Sequence, residues 1–566
     1  RIRFMEQLQP GRAVYNAPSG HRLIGALDVP AFVAAFREVV RRHSTLRTYM
    51  ADDEEGNGIQ AIAPSVDFDV PMHDLTGIPA DEREPHLLAA MMKVAEAPID
   101  IYKAPLFNTA LFKISDAEHA FAFVPHHLIW DGWSFDLLQI ELAAIYGAFT
   151  RGEPSPLPEP ALSHGDYTEW LGRWMQQEEY QQQLRFWKER FAAAPLPVVP
   201  QTDMPRRAGV SGEGRALAVA FDRPHTERLR AIARTADVTL GMLLLSAFSM
   251  MLGKALGNNS VVIGVPVRGR EAPELEQVMG FFTNLLPLHL QMDPMRSFPD
   301  HMRYIKQELL AITSHALIPF ERIAAEPDIS AHAQGAGLYH AIYSFQDARE
   351  RPSDFGAGLQ HRQIHLRQRG ATDALGLWLM DKPHGMEGAF NYNSDIYLTE
   401  TGEAMRTRLL ELLDRIAQTP DAPLETLFSA EGSPSARVLE RMGAGPIAVE
   451  RASRAVSARA DAPQLLLPEQ AELAQIWAGI LGMDVNEIHV SDNFFDLGGD
   501  SLLAMRAVQQ SEQALGFRIE ARRYVFESLA QLAATAPREV ADVAQAPPDP
   551  AARGLIGRVF SAFGRK

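Results

Sequence analysis

Cysteine is absent from all 566 residues. That excludes disulfides, a thiolate nucleophile and any cysteine-ligated metal. Positive charge is also scarce: 54 basic side chains face 71 acidic ones, a formal net charge of −17. Broad nucleic-acid binding needs clustered positive charge, so this balance disfavours it while leaving room for a local basic patch. No apolar run is long enough to cross a bilayer. The longest, around Leu240–Leu252, falls short of the ~20 residues of a spanning helix and is expected to be a buried helix. The opening RIRFMEQLQP lacks the uninterrupted apolar core of a targeting signal. With neither membrane segment nor leader, a soluble cytoplasmic protein is expected. Apolar periodicity is already running at the first residues, so a truncated start is expected too. Short fixed-period repeats are missing. What is present is 46% hydrophobic, which excludes a wholly disordered chain.

Helical and strand patterns alternate up to about residue 430, as in an α+β fold with a large core. Phe32–Val40 is a helical stripe running into RHSTLRT, Arg42–Thr48. Pro105–Ile114 and Ala120–Val124 read as strands, the second ended by Pro125. Phe135–Phe149 reads as a helix, RGEPSPLPEP (Arg151–Pro160) as a surface linker, and Tyr167–Phe191 as one long helix. Thr239–Leu256 is a further apolar helix and Ser260–Pro266 a buried strand. From Glu431 the composition turns to alanine, arginine, glycine, serine and proline, a linker with one short helix at Ala436–Met442. A small helical unit follows: a helix from Glu469 to Leu481, another beginning near Ser501, and a last one over Val525–Ala533. The final segment, Ala551–Lys566, places Leu555, Val559 and Phe563 at i, i+4, i+8 among basic residues with no acid. It reads as a short amphipathic helix that docks on a partner.

Two loops carry chemistry. In the first, His126 and His127 stand side by side at a strand end, followed by Leu128, Ile129, Trp130, Asp131 and Gly132. Adjacent strand residues point to opposite faces, so one histidine can face a cleft while the other packs inward. A histidine there can take a proton from an attacking amine or alcohol. Asp131 can hold the turn through backbone hydrogen bonds, and Gly132 permits a tight backbone approach. On chemistry alone three readings stay open: a catalytic base, two structural histidines, or a zinc site using Asp131. In the second loop, Asp492-Asn493-Phe494-Phe495-Asp496-Leu497-Gly498-Gly499-Asp500-Ser501-Leu502, Ser501 is an N-cap candidate at a helix start. It is equally a hydroxyl open to an enzyme that adds a group. No histidine nearby would make it a nucleophile.

These residues bring a family into view. HHLIWDG resembles the HHxxxDG motif of nonribosomal peptide synthetase condensation domains. In order along the chain, Arg42–Thr48 is similar to that family's RHxxLRT, Val265–Arg270 with Gly280-Phe281-Phe282-Thr283-Asn284 to its PVxxR and GFFxN, Ile318–Glu321 to its VPFE, and Tyr392–Asp395 to its YNxD. Asp492–Leu502 resembles the attachment loop of peptidyl or acyl carrier domains. The resemblance implies a V-shaped pair of chloramphenicol-acetyltransferase-like lobes with a tunnel entered from both faces, then an all-α four-helix carrier bundle. It assigns residues 1–165 to an N-lobe, 166–430 to a C-lobe, 431–466 to a linker, 467–538 to the carrier and 539–566 to linker and tail.

By the same resemblance His127 faces the tunnel as catalytic residue and His126 is structural. Asp131 pairs with Arg270, Asn284 and Ser394 lie near the cleft, and Ser501 carries 4'-phosphopantetheine. The implied reaction joins a carrier-bound acyl thioester to an amine; an ester-forming version or a degenerate docking platform are the alternatives. Implied partners are an upstream acyl or peptidyl carrier, a phosphopantetheinyl transferase and a downstream synthetase or release enzyme. Residues 431–466 are too few to hold an adenylation domain, so Ser501 is expected to be loaded by a trans-acting adenylation enzyme. WDGWSFD and Phe345-Gln346-Asp347 depart from the common family pattern and mark a distinct branch.

Overall fold

The computed structural model describes residues 13–428 and 467–534, with residues 2, 3, 6 and 11, apart from 54–57, 195–201, 205–212, 257–258, 330–337, 350–352, 365, 367–369, 372, 495–496, 498, 500, 518 and 520–522. The expected linker helix at 436–442, the linker 431–466 and the tail 551–566 lie outside the described residues.

Two six-stranded sheets organise residues 13–428. In the first, Ser19–Ile24 lies between Leu359–Ile364 and Glu118–Pro125, antiparallel to both. Phe107–Ser115 and Met72–Asp74 extend it beyond Glu118–Pro125, and Asp354–Gly356 closes the other edge. Glu118–Pro125 is buried on both faces, which explains why AFAFV reads as a continuous apolar run instead of an alternation. Helix Val29–Arg42 covers one face, starting where the Asp28 carboxylate accepts from Ala31 N at 3.0 Å. Phe32 and Phe36 pack edge-on against Phe121 at 5.1 and 5.3 Å between ring centres.

The second sheet runs Gly214–Asp222, Gly385–Asn393, Leu375–Lys382, Ala341–Asp347, Ser260–Val267, Asn284–Gln291. Its core face is filled by helix Leu240–Leu256, the apolar stretch expected to be buried. Among the described residues no single helix is long and apolar enough to cross a membrane.

The order of strands adds something that a division at residue 165 leaves out. Asp354–Gly356 and Leu359–Ile364 come from the C-terminal half of the sequence yet complete the first sheet. The long helix expected over Tyr167–Phe191 is corrected to two, His164–Trp174 and Glu178–Ala193. Gln177 adopts extended backbone between them, and the break lets Trp174 meet Tyr180 edge-on at 5.7 Å. The last helix of the small unit also divides, into Arg523–Phe526 and Leu529–Ala533, because Ser528 and Gln531 form a capping box in the middle. With Pro468–Leu481 and Ser501–Leu515 these pack around buried Trp477, Phe494 and Tyr524. Helix Ser501–Leu515 runs alongside Phe320–Ala325 of the larger unit.

Candidate active site and carrier loop

Strand Glu118–Pro125, interior to the first sheet, delivers the histidine pair at its C-terminal end, and helix Gly132–Phe149 leaves from the same loop. The loop is tied down by its backbone. His126 N donates to Leu106 O at 2.9 Å and His127 N to Tyr15 O at 2.8 Å. The RHSTLRT segment supports it from below: Thr45 Oγ1 donates to Ile129 O at 2.9 Å. Arg42 and His43 of that segment both converge on Glu141, at 3.1 and 2.9 Å, and so serve structure.

The two histidines divide as strand geometry requires. His126 is 1% exposed; its Nδ1 accepts from Leu128 N at 3.1 Å and its Nε2 lies 3.4 Å from Glu6 Oε1. His127 is partly exposed, and its ring stands edge-on to Phe281 at 6.3 Å. Its Nδ1 is 3.2 Å from Trp130 O. A carbonyl can only accept, so Nδ1 carries the proton and Nε2 keeps its lone pair. Burial lowers the His127 pKa below the ordinary histidine value, outweighing the carbonyl contact that raises it. The ring is therefore neutral at neutral pH, with Nε2 as its basic nitrogen.

Asp131 does not share that chemistry. It caps helix Gly132–Phe149, with Oδ1 accepting from Ser134 N at 3.0 Å and Ser134 Oγ at 2.8 Å. Arg270 Nη1 donates to Oδ2 at 2.7 Å and Nη2 to Oδ1 at 3.2 Å; Phe282 N gives Oδ2 its second bond at 3.0 Å. The carboxylate is 2% exposed and fully occupied, which takes it out of any zinc site with the histidines.

Ser134 is a residue the motif did not single out. Its Oγ receives Gly280 N at 3.0 Å and Arg270 Nη2 at 3.2 Å, joining the histidine loop to the Gly280–Asn284 segment. His164 is another: Nε2 lies 2.9 Å from Phe281 O, and its ring meets Phe282 edge-on at 4.9 Å. Gly280 has φ +156, and a Cβ there would stand 2.6 Å from His164 Cδ2, so glycine is required. The WDGWS run held the only sequence signal for Ser134, a hydroxyl three residues after the capping aspartate; nothing local pointed to His164.

At Gly132 the expected tight approach is absent. A Cβ there would meet Gln346 Nε2 at 3.6 Å, an ordinary contact. Asn284 is spent on the second sheet. Its Nδ2 donates to Ala316 O and Ile318 O at 2.8 and 2.7 Å, and its Oδ1 accepts from Phe320 N at 3.0 Å. It holds the Ile318–Glu321 turn onto strand Asn284–Gln291, and its polar atoms are turned to that task. Ser394 bonds through its backbone, N to Glu213 O at 3.1 Å.

In the carrier loop, Ser501 is the first residue of helix Ser501–Leu515, one position inside the N-cap expected of it. Gly499 is pressed onto Phe494: a Cβ would stand 2.3 Å from the ring, and Gly499 N donates to Phe494 O at 3.0 Å. Ser501 thus stands at a helix N-terminus, whose dipole favours a phosphate.

Comparison with known proteins agrees with this layout. Residues 1–433 match the condensation-domain family and residues 471–536 the phosphopantetheine attachment-site family. A linear gramicidin synthase of Brevibacillus parabrevis is 30% identical over 444 residues, 78% of this chain and 8% of the relative. Phosphinothricin tripeptide synthetase PhsC of Streptomyces viridochromogenes is 29% identical, over 75% of this chain and 39% of the relative. The chain therefore spans well under half the length of either. Among solved structures, the first condensation domain of the calcium-dependent antibiotic synthetase aligns with TM-score 0.64 at 23% identity, over 75% of this chain and 96% of that one. The X-domain from teicoplanin biosynthesis aligns with TM-score 0.64 at 23% identity, over 75% and 95%. These likenesses carry the fold, two chloramphenicol-acetyltransferase-like lobes. The chain belongs to the condensation-domain family and bears a phosphopantetheine-attachment carrier domain behind it.

Proposed function

We propose that the chain joins a carrier-bound acyl or peptidyl thioester to an amine, with His127 as the catalytic group and Ser501 as the attachment point of its own carrier. The observation that carries this reading is the His127 ring, held with Nδ1–H on Trp130 O, which leaves the lone pair on Nε2. As the amine nitrogen bonds to the thioester carbon, Nε2 receives the nitrogen's proton. The C–S bond then breaks and the proton leaves with the sulfur. Asp131 and Arg270 take no proton in these steps; they fix the backbone from which His127 projects. His126, buried against Glu6, packs the loop from behind.

A phosphopantetheine arm on Ser501 supplies the thiol that holds an acyl or aminoacyl group. The position of Ser501 at a helix N-terminus supports a phosphate there. The matched segments leave only residues 434–470 between them. Loading is therefore assigned to an adenylation enzyme acting in trans, after a phosphopantetheinyl transferase has modified Ser501. An upstream carrier provides the donor and a downstream synthetase or release enzyme takes the product.

The test is intact-mass spectrometry of the phosphopantetheinylated chain with an aminoacyl group on its carrier, mixed with an acylated donor carrier. The reading expects the acyl mass to move onto this chain and hydroxylamine, which cleaves the carrier thioester, to release it still joined to the aminoacyl group, as an N-acyl aminoacyl hydroxamate. An acyl group that stays on the donor, or that hydroxylamine releases as its own hydroxamate, contradicts it.

A further inference from the structure

The second sheet has one face covered by helix Leu240–Leu256 and an opposite face on which Trp378 is exposed while Ile342 and Ser344 are buried. Tyr343 and Phe345 point to helix Leu240–Leu256: the Tyr343 hydroxyl donates to Gly241 O at 2.7 Å, and a Cβ on Gly241 would stand 2.9 Å from the Phe345 ring. Successive strand residues alternate faces. Ser344, Gln346, Gly376, Trp378 and Asn391 therefore share the opposite face, where Trp378 pairs laterally with Ser344 and Ala389, and Gly376 with Asn391.

On that face Ile342, Gln346, Met380 and Glu387 surround a stretch of small residues beside Trp378. Trp378 is 41% exposed, while Ala389 and, on the next strand, Ala218 offer only methyl groups beside it. Its indole folds back over Gly376, where an added Cβ would stand 3.1 Å from Trp378 Nε1 and 3.8 Å from Asn391 Cβ. Indole and amide thus border the same bare patch of strand. Asn391 Oδ1 is buried and accepts no hydrogen bond among the described residues. A buried acceptor without a donor is costly, so a ligand N–H or O–H that reached it would be favoured.

The patch is close to the histidine loop. Gln346, on the same face, places Nε2 3.6 Å from where a Gly132 Cβ would be. Trp378 sits one strand across and two residues along from Gln346, roughly 8 Å by strand spacing and rise.

We propose that this face is a substrate-selecting subsite, in which Trp378 stacks on a planar ring of the group being joined and Asn391 Oδ1 accepts an N–H or O–H borne by that ring. The substrate class is a phenol- or indole-bearing amino-acid residue. The proposal rests on the condensation reading above and adds to it what is selected.

The probes are pantetheine amides of tyrosine, phenylalanine and cyclohexylalanine, in which an amide replaces the reactive thioester. Each is used with its amine free, as an acceptor mimic, and N-acetylated, as a donor mimic. Equilibrium titration of the full chain should show the tyrosine probe bound about tenfold tighter than the cyclohexylalanine probe in one of the two forms, and that form identifies the side. Trp378→Ala should erase the preference and Trp378→Phe should keep most of it. Asn391→Leu should erase only the preference for tyrosine over phenylalanine. Equal binding of all probes by the unaltered chain in both forms, or a full preference surviving in Trp378→Ala, overturns the proposal. Because the probes do not react, selective binding with no amide formation from true thioesters would contradict the condensation reading and leave the subsite standing.

Discussion

Asp131 and Arg270, far apart in sequence, form a buried two-bond ion pair at 2.7 and 3.2 Å with side chains 2% and 1% exposed. The pair joins the cap of helix Gly132–Phe149 to the segment that carries Phe281 and Phe282. Arg270 also lies over the Phe282 ring at 4.2 Å.

Removing either partner strands a charge. Asp131→Asn or Arg270→Met should each cost roughly 3–5 kcal/mol in chemical unfolding, and the double variant should recover part of it. Strictly additive losses from the two singles would show that the charges are not coupled.

Gly280→Ala tests the other support of the loop. The new methyl would meet His164 at 2.6 Å in a backbone conformation that only glycine adopts readily. Unfolding free energy should fall by about 1–3 kcal/mol. Pairing it with His164→Ala should restore some of the loss by opening the space, and no restoration would place the strain elsewhere.

Acid should weaken the fold through histidines that are buried neutral. Burial lowers the pKa of both His21 and His301 to about 3. His21 shares its hydrogen bonds with Ser19 and His361, and His301 lies near Ser249 and Arg296. Between pH 6.5 and 3 the unfolded chain binds protons that these rings refuse, so their contribution is present above 6.5 and drains as pH falls. Each should add about 1.4 kcal/mol per pH unit to the slope of unfolding free energy. His301→Gln should lower that slope by about one proton's worth; an unchanged slope would mean that His301 is protonated in the folded state.

Ser501→Ala should abolish addition of the phosphopantetheine mass while circular dichroism and thermal midpoint stay near those of the parent chain. Continued modification of the alanine variant would move the attachment point to another residue.

Some of this was legible in the sequence because it is local. The apolar helix at Leu240–Leu256, the buried strand ending at Pro125 and the divergence of His126 from His127 follow from periodicity and strand alternation. The Asp131–Arg270 pair came from family resemblance, since no local pattern links residues so far apart. Ser134 bonding Gly280, and His164 beneath it, depend on two distant segments meeting. The same holds for Leu359–Ile364, whose partner strand Ser19–Ile24 lies at the far end of the chain. The breaks at Gln177 and Ser528 were missed because periodicity continues in phase across a short interruption.

The central claim is that His127 Nε2 accepts a proton, and the most direct measurement is single-turnover amide formation as a function of pH with Ser501 already loaded. Burial holds the His127 pKa below its ordinary value of 6.5, so the acid limb of the rate should have its midpoint below that value, with activity present above it and lost beneath. His127→Ala should lower the plateau rate by about 100-fold and remove that limb. An equal rate from His127→Ala, or an acid limb unchanged by the substitution, would contradict the account.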